Sequence, residues 1–227
     1  MSARDRVLAR VRKALEGRAG VPHPGPFGEW RPGPAAGPAA AGAAVDHFAT
    51  IFEAAGGEVV RVADATAAAA WIASFAGGTP GAPDSSDAPN GRAGRDGPGV
   101  QGTRGFASVA VGRTVPDALR PPLEVARPRT AALGVSMARG AVAETGSLLM
   151  DARDGRRVQL LPPTHIVVVQ AHTMHATLRE ALGALRDDLP SAVGLHSGPS
   201  KSADLGQVLV RGVHGPGRLI AVIVESL

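Results

Sequence analysis

Two runs of apolar residues constrain the fold of this chain more than any other feature. Residues 166–169 carry no polar side chain, and neither do residues 219–224. Such runs are typical of strands that are buried on both faces of a parallel sheet, because a strand with one solvated face alternates polar and apolar residues. Helical patterns lie between strand patterns along much of the chain. The sequence therefore predicts an α/β fold with an open, largely parallel sheet flanked by helices.

Shorter patterns predict the remaining elements. One helical face is formed by Val45, Phe48, Ile51 and Phe52, and that helix ends at Gly56-Gly57. Further helices are predicted after Asp64, which can cap the helix, and over 176–189 and 203–210, with a helical turn at 137–142. Further strands are predicted over 58–62, 106–111 and 193–195. A local β-hairpin is predicted around Asp154-Gly155, with strands 147–150 and 157–161, because Asp-Gly is a strong turn signal.

Glycine and proline mark two segments that we expect to lie outside the core. The chain has 227 residues, of which 30 are Gly and 19 are Pro. Residues 17–38 read as a linker or wrapping arm, and residues 77–105 as a low-complexity surface insertion. We therefore divide the chain into residues 1–38, an N-terminal amphipathic helix and arm, and residues 39–227, an α/β domain.

The predicted N-terminal helix covers residues 4–16. Val7, Val11 and Leu15 recur at a helical spacing, and arginine and lysine occupy much of the remaining surface. This pattern favours a docking helix or a contact in a homo-oligomer. A helix that lies on a membrane surface is the alternative, although the apolar stripe is short.

The chain has no cysteine, which excludes several classes of protein. Disulfide scaffolds, thiolate zinc sites and cysteine-held iron–sulfur clusters all require cysteine. No apolar run approaches the roughly 20 residues of a membrane span, and the charged N-terminus does not resemble a signal peptide. We therefore expect a cytoplasmic protein. The net charge is only +4 and the basic residues are dispersed, so we expect no nucleic-acid partner.

One candidate site segment is the run from Ala143 to Ser147. It places a carboxylate, Glu144, before a hydroxyl, Thr145, and a flexible glycine, Gly146. A glycine here lets a ligand approach the backbone, and the carboxylate can point into a cleft. Thr145 and Gly146 are therefore predicted to bind the substrate. The alternative is that Glu144 caps a helix or closes a turn.

A second candidate segment runs from Ser197 to Asp204. We expect it to leave a strand and enter a helix, so that free N–H groups and the positive end of the helix dipole attract an anion. Hydroxyl groups and a lysine would add donors. The predicted anion-binding residues are Ser197, Gly198, Ser200, Lys201, Ser202 and Asp204. The alternative is that Ser202 is a plain N-cap and Asp204 stabilises the first turn.

A third segment, residues 212–217, places His214 between glycines, where it can act as an acid, a base or a hydrogen-bond donor. His165 and His196 are read as similar isolated histidines. His172 and His175 have a spacing of three, but no third ligand is placed by the sequence, so we expect no metal site.

These segments, in this order, resemble the lactate-utilisation protein C family, the LUD-domain proteins. The resemblance is carried by Ala143-Glu144-Thr145-Gly146-Ser147, by the run from Leu160 to Ile166, by the run from Ser197 to Asp204, and by Gly212-Val213-His214-Gly215-Pro216. It is dense over residues 131–227. The departures are modest: Ser147 replaces the usual Thr, and Lys201-Ser202 replaces Arg-Thr.

The resemblance implies a fold of the kind found in glucosamine-phosphate deaminases, ribose-phosphate isomerases and CoA transferases. It also implies a part in the oxidation of L-lactate to pyruvate. Because this chain cannot hold a cysteine-ligated cluster, we expect no cofactor on it and iron–sulfur clusters on lactate-utilisation partner proteins. The chain would be a substrate-binding or accessory subunit. Residues 197–204 would hold a small carboxylate ligand, while Glu144 and His214 orient its hydroxyl group or move a proton.

Two alternatives are retained. In CoA transferases of this fold a Glu in a Glu-x-Gly turn attacks an acyl thioester, and Glu144-Thr145-Gly146 resembles that turn. Glu144 would then be a catalytic nucleophile. The other alternative is a metabolite sensor without catalysis.

Overall fold

A computed structural model of the chain describes residues 3–16, 38–78, 105–203, 209–212 and 214–226. The chain divides into two compact units, residues 1–33 and 34–227. In the first unit the predicted N-terminal helix is present as α1 (Ala3–Leu15). The predicted arm, apart from its last residue, and most of the predicted insertion lie outside the described residues.

The second unit contains four helices and twelve strands among its described residues. The helices are α2 (Pro38–Ala54), α3 (Ala65–Gly77), α4 (Ala152–Leu160) and α5 (Leu178–Ala184). The strands are β1 (Glu58–Asp64), β2 (Ser108–Val111), β3 (Glu124–Val125), β4 (Leu133–Met137), β5 (Gly140–Val142), β6 (Ser147–Asp151), β7 (Thr164–Gln170), β8 (Met174–His175), β9 (Val193–His196), β10 (Lys201–Ala203), β11 (Leu209–Arg211) and β12 (Arg218–Ser226).

Six of these strands form the main sheet, in the order β1-β12-β7-β4-β2-β3. Every pairing in it is parallel. The two apolar runs of the sequence are its central strands, and residues 166–169 and 219–224 are buried throughout. The α/β class and the largely parallel sheet are therefore confirmed.

Helices cover the main sheet on its two faces. Ile72 and Phe75 of α3 pack with Ile166 and Val168 on one face. Phe48, on α2, packs in a second cluster with Val167, Val169 and neighbouring residues of β12. The predicted cap of α3 is present, because the Asp64 carboxylate accepts a hydrogen bond from the amide of Ala67 at 2.8 Å. Both helices thus form where the apolar spacing predicts them.

A smaller sheet, in the order β8-β5-β6-β9, packs on the α2 side. Leu148 and Met150 of β6 join the same core cluster as Phe48 and Phe52 of α2. α5 covers the outer face of this sheet, where Ala181 and Leu185 pack against Val142 and Leu149. In the core of the second unit, α3 therefore lies on one face of the main sheet, and α2 and the smaller sheet share a cluster on the other face.

The β-hairpin predicted around Asp154-Gly155 is wrong, and a different hairpin forms earlier in the chain. β5 and β6 pair antiparallel across a turn at residues 143–146, whereas the predicted second strand, 157–161, lies mostly in α4. Asp151 caps α4 by accepting from the amide of Arg153, and Gly155, at φ 108°, kinks it. The Asp-Gly pair thus makes a bend within a helix and not a hairpin turn.

Two predicted helical segments are also wrong. Residues 137–142 form the end of β4 and the strand β5, which are extended. The helix predicted over 203–210 is contradicted at its described ends, because β10 and β11 pair antiparallel there. The apolar residues of this segment are compatible with a strand as well as with a helix. At the described ends, the pairing between β10 and β11 selects the strand.

Candidate functional site

The three predicted segments gather at one place, near the C-terminal end of α2. Gly146 lies against Ile51 and Phe52, since a Cβ atom at Gly146 would be 2.8 Å from Ile51 Cγ2 and from the Phe52 nitrogen. Gly198 lies against Ala55 in the same way, at 3.1 Å from its carbonyl oxygen. Gly146 and Gly198 have φ values of 55° and 122°, which residues other than glycine rarely adopt. Glycine therefore lets the first two segments approach α2.

A chain of three hydroxyl groups joins the first segment to the second. Ser147 Oγ lies 2.7 Å from Thr145 Oγ1 and 2.6 Å from Ser197 Oγ. Ser147 is buried, whereas Thr145 and Ser197 are exposed. The predicted binding residues Thr145 and Ser197, fifty-odd positions apart in the sequence, are thus brought together by a buried serine between them. Ser147 was not predicted to bind a ligand, although it stood in the predicted motif.

Ser200 and Lys201 form hydrogen bonds that connect the second segment to the third segment and to α2. Ser200 donates its amide to the Pro216 carbonyl at 2.8 Å and accepts from the Gly212 amide at 2.9 Å. The Lys201 ammonium donates to the Ala55 carbonyl at the C-terminal end of α2. A cation there stabilises the negative end of the helix dipole. Because an ammonium has three N–H donors, two remain for a ligand.

The structure does not support the helix-terminus part of the anion-binding prediction. Lys201 and Ser202 lie on the strand β10, which pairs with β11, so the described residues after Ser197 do not open a helix. Nor does β9 belong to the parallel sheet, because it pairs antiparallel with β6. The 212–217 loop lies at the amino ends of β7 and β12, where Gly217 and Arg218 donate to the Pro163 carbonyl. Any ligand here meets side-chain hydroxyls and an ammonium rather than a helix N-terminus.

Glu144 serves as a cap in the structure. Its Oε1 accepts a hydrogen bond from the amide of Leu178, the first residue of α5, at 2.7 Å. Thr177 and Glu180 complete a capping box at the same helix end. This is the capping alternative that the sequence left open. A catalytic role for Glu144 stays a prediction.

The other predicted site residues are placed with less detail. His214 is exposed, and its neighbour Gly215 lies beside Ser200, because a Cβ atom at Gly215 would be 3.2 Å from Ser200 Cβ. Ser202 is in register with Val210 on the β10–β11 pair. Asp204 lies outside the described residues. The structure therefore places the loop of His214 next to the second segment.

Two histidines that were read as isolated face the same interior region. His165 on β7 is fully buried, with Nε2 2.8 Å from Ser136 Oγ and with no hydrogen-bond partner at Nδ1 among the described residues. Burial, together with a smaller effect of the nearby His196, lowers the pKa of His165 to about 3. Burial also lowers the pKa of His196, which directly precedes Ser197. The sequence did contain a signal for the burial of His165, because this histidine directly precedes a fully apolar strand.

Asp154 is a second buried polar group that sequence reasoning missed. Its Oδ1 accepts from the amide and the hydroxyl of Thr114, at 3.1 and 2.7 Å. Its carboxylate lies over Gly112, where a Cβ atom would be 2.1 Å from Oδ1. The carboxylate therefore connects α4 to the loop after β2. These contacts do not involve the three candidate segments. The Asp-Gly sequence suggested a surface turn and concealed this role.

Neither a metal-binding cluster nor a membrane-spanning helix is present within the described ranges. No group of three or more histidine, aspartate or glutamate side chains is placed to hold a metal ion there. No helix in that part of the chain is long and apolar enough to cross a membrane.

Comparisons with known protein sequences each match less than half of the chain. Residues 127–224 match the family model described as the LUD domain. Lactate utilization protein C 1 of Bacillus mycoides is 36% identical over 106 residues, which cover 43% of this chain and 45% of that protein. Lactate utilization protein C of Bacillus licheniformis is 34% identical over 110 residues, covering 45% and 46%. The chain thus matches about half the length of these curated relatives.

One solved structure extends the comparison to the fold. A DUF162 family protein from Deinococcus radiodurans superposes with a TM-score of 0.55 and 18% identity, covering 82% of this chain and 98% of that chain. At this identity the likeness shows the fold alone.

Proposed function

We propose that this protein takes part in lactate utilisation by binding a small carboxylate. The proposal starts from the match of residues 127–224 to the LUD domain model and from the similarity of the chain to lactate utilization protein C. L-lactate and pyruvate are the first ligands to consider, because the relatives are named for lactate utilisation. In this proposal the chain is the substrate-binding or accessory component of L-lactate oxidation to pyruvate.

The observation that carries the proposal is the chain of hydroxyls formed by Thr145, Ser147 and Ser197. Three hydroxyl groups have three protons, and the two short contacts within the chain use two of them, while the Thr145 carbonyl is a more distant acceptor for Ser147, at 3.4 Å. If both contacts run in one direction, an exposed end of the chain keeps a donor. A carboxylate is the natural acceptor for it, since hydrogen bonds to a charged group contribute about 1.5–3 kcal/mol.

Lys201 supplies the charge that such a ligand requires. Its ammonium lies at the end of α2, where Gly198 also lies, so it borders the segment that begins at Ser197. The hydrogen bond to the Ala55 carbonyl fixes the position of the ammonium. Its other N–H donors are available to a ligand. A carboxylate between Ser197 and Lys201 would receive a neutral and a charged hydrogen bond, which together favour an anion over an uncharged ligand.

The oxidation itself requires an electron acceptor. Converting lactate to pyruvate removes two electrons and two protons from the hydroxyl carbon and its oxygen, so a hydride or electrons must pass to a cofactor. The chain has no cysteine to hold an iron–sulfur cluster. We therefore assign the redox centres to partner proteins that carry iron–sulfur clusters, and the binding and presentation of the ligand to this chain.

Calorimetric titration with L-lactate and with pyruvate tests the proposal. We expect binding to the purified protein, weakened about 10- to 100-fold by Ser197→Ala, as loss of a charge-assisted hydrogen bond predicts. Thr130→Ala is the matched control, because the exposed Thr130 hydroxyl donates only to the nearby Arg127 carbonyl. We expect it to bind as the wild type does.

Two results would contradict the proposal. One is no binding of either acid, with the protein alone or together with iron–sulfur partners. The other is equal affinity of Ser197→Ala and Thr130→Ala, which would place any bound acid elsewhere.

A further inference from the structure

Two histidines that the proposed function does not use face the same part of the core. His196 is directly opposite Leu148 in the β6–β9 register, and residues that are directly opposite share a face of the sheet. Leu148 belongs to the core cluster that contains Phe48 of α2. His165 is directly opposite Leu219 of β12, which belongs to the same cluster. Both imidazoles therefore face the cluster that the two sheets share with α2.

The binding residues of the proposed site approach α2 as well. Ser197 directly follows His196, which is the last residue of β9. Gly198 lies against Ala55, and the Lys201 ammonium donates to the Ala55 carbonyl, so both reach the C-terminal end of α2. The chain after β9 thus runs towards the helix whose cluster His196 faces. His196 therefore borders the region in which Ser197 and Lys201 would hold a carboxylate.

The ring of His196 has a donor and an acceptor to offer. It is partly exposed, and it makes no hydrogen bond or ion pair within the part of the chain that the structure describes. Burial lowers the pKa of this imidazole, which is therefore uncharged at pH 7. An uncharged imidazole has one N–H donor and one nitrogen acceptor. It can accept a hydrogen bond from a hydroxyl group or donate one to a keto oxygen.

A second nitrogen without a partner lies close to His196. Nδ1 of His165 is buried and has no hydrogen-bond partner among the described residues, while its Nε2 lies 2.8 Å from Ser136 Oγ. His196 is near enough to affect the pKa of His165. Buried polar groups in proteins nearly always have a partner. The region beside His196 is thus suited to a polar group of a ligand and not to an apolar one.

We propose that His196 binds the oxygen on the second carbon of the ligand and thereby makes the site specific for 2-hydroxy and 2-oxo acids. The inference rests on the proposed function, in which Ser197 and Lys201 hold the carboxylate. The second carbon is bonded to that carboxylate, so the residue next to Ser197 is placed to reach its oxygen. His196 accepts from the hydroxyl group of lactate and donates to the keto oxygen of pyruvate. A simple carboxylic acid leaves the imidazole without a partner.

Calorimetric titration of the full chain with L-lactate, pyruvate and propionate tests this assignment. Propionate has the carboxylate and the carbon chain of lactate but no oxygen on the second carbon. We expect the wild type to bind lactate and pyruvate about tenfold more tightly than propionate, as the loss of one hydrogen bond to a partly buried group predicts.

Substitution of His196 should remove this preference. His196→Phe keeps an aromatic ring without its nitrogens, and we expect it to weaken lactate binding about tenfold while propionate binding stays unchanged. His196→Ala should lose the same preference. His172→Phe is the matched control, because the exposed His172 follows the carboxyl end of β7, whereas the 212–217 loop lies at its amino end. We expect the control to bind all three acids as the wild type does, and circular dichroism verifies that each variant is folded.

Binding and specificity can fail separately. If the wild type binds lactate and propionate equally and Ser197→Ala weakens both, the proposed function stands and the assignment of His196 is wrong. The assignment is also wrong if His196→Phe weakens lactate and propionate by the same factor, or weakens lactate no more than His172→Phe does. If none of the three acids binds, the proposed function and the assignment are both wrong. If His196→Phe does not fold, His196→Ala decides.

Discussion

At the scale of single residues, His165 is the side chain whose chemistry the fold changes most. It lies beside Ser136, is fully buried, and has no partner for Nδ1 in the part of the chain that the structure describes. Burial is the main reason that its pKa falls from 6.5 to about 3, and the neighbouring His196 adds to the effect. The neutral imidazole is therefore the form that the folded state accepts, whereas the unfolded chain binds a proton near pH 6.5.

This difference predicts an acid-sensitive fold. The contribution of His165 to stability is complete above pH 6.5 and is lost as the pH falls towards 3, because the unfolded chain then binds a proton that the folded chain does not. Below pH 6 the free energy of unfolding should fall by about 1.4 kcal/mol per pH unit from this group. Urea unfolding at pH 7 and at pH 5 measures it.

The matched variants are His165→Asn and His47→Asn. His47 is exposed on α2, so its replacement should leave the pH dependence unchanged. His165→Asn should reduce the change in the free energy of unfolding between pH 7 and pH 5, even if the variant is less stable at both pH values. An unchanged slope in His165→Asn would mean that His165 takes up its proton in the folded state.

At the scale of secondary-structure elements, the beginning of α5 shows how a predicted catalytic residue serves a helix. α5 has seven residues, and a helix this short depends on its ends and on tertiary contacts. The Glu144 carboxylate accepts from the Leu178 amide, and it lies at the positive end of the helix dipole. The turn between β5 and β6 is thereby joined to α5.

We predict that Glu144→Ala lowers the free energy of unfolding by roughly 1 kcal/mol, as the loss of other caps does. Glu144→Gln should cost less, because an amide oxygen can still accept from Leu178 while the charge at the helix end is lost. Thermal or urea unfolding measures both changes. Equal stability of the alanine variant and the wild type would show that the bond to Leu178 contributes nothing.

The same two variants separate the cap from the acyl nucleophile that the Glu-x-Gly turn resembles. A nucleophile requires the carboxylate itself, so Glu144→Gln would abolish a covalent CoA adduct that borohydride traps in the wild type. A cap predicts no adduct in either protein. Mass spectrometry after incubation with acyl-CoA compounds distinguishes the two.

At the scale of the whole molecule, the two units differ in what they contribute to the core. The described residues of the two large core clusters all lie between Ala44 and Val224. The first unit, residues 1–33, is compact by itself and includes α1. The second unit should therefore fold without the first.

We predict that a protein comprising residues 34–227 unfolds at the same urea concentration as the full chain. A protein beginning at residue 55 is the informative contrast, since it lacks α2 and with it Phe48 and Phe52, which are fully buried in the cluster that includes residues of both sheets. It should fail to fold, because removing one such phenylalanine alone costs about 3–5 kcal/mol. A shorter protein that is as stable as the full chain would show that α2 is not part of the core.

By itself the sequence determined which segments are buried. The apolar runs at 166–169 and 219–224 predicted the central strands, and the spacing of Phe48, Phe52, Ile72 and Phe75 predicted α2 and α3. These patterns are local, because a side chain's burial follows from its position within one element. The four motifs likewise predicted a resemblance to LUD-domain proteins, and residues 127–224 match the LUD domain model.

Only the tertiary structure decided which strands pair and where the motifs meet. A turn dipeptide such as Asp154-Gly155 fits either a hairpin or a kinked helix, and the burial of the Asp154 carboxylate against Thr114 selects the helix. Pairing with β6 puts β9 in the smaller sheet, and the bond from Lys201 to Ala55 places its ammonium at the end of α2. These contacts join residues that are far apart in sequence. Their free energies depend on partners that no local pattern contains, so the position of the site was fixed by packing.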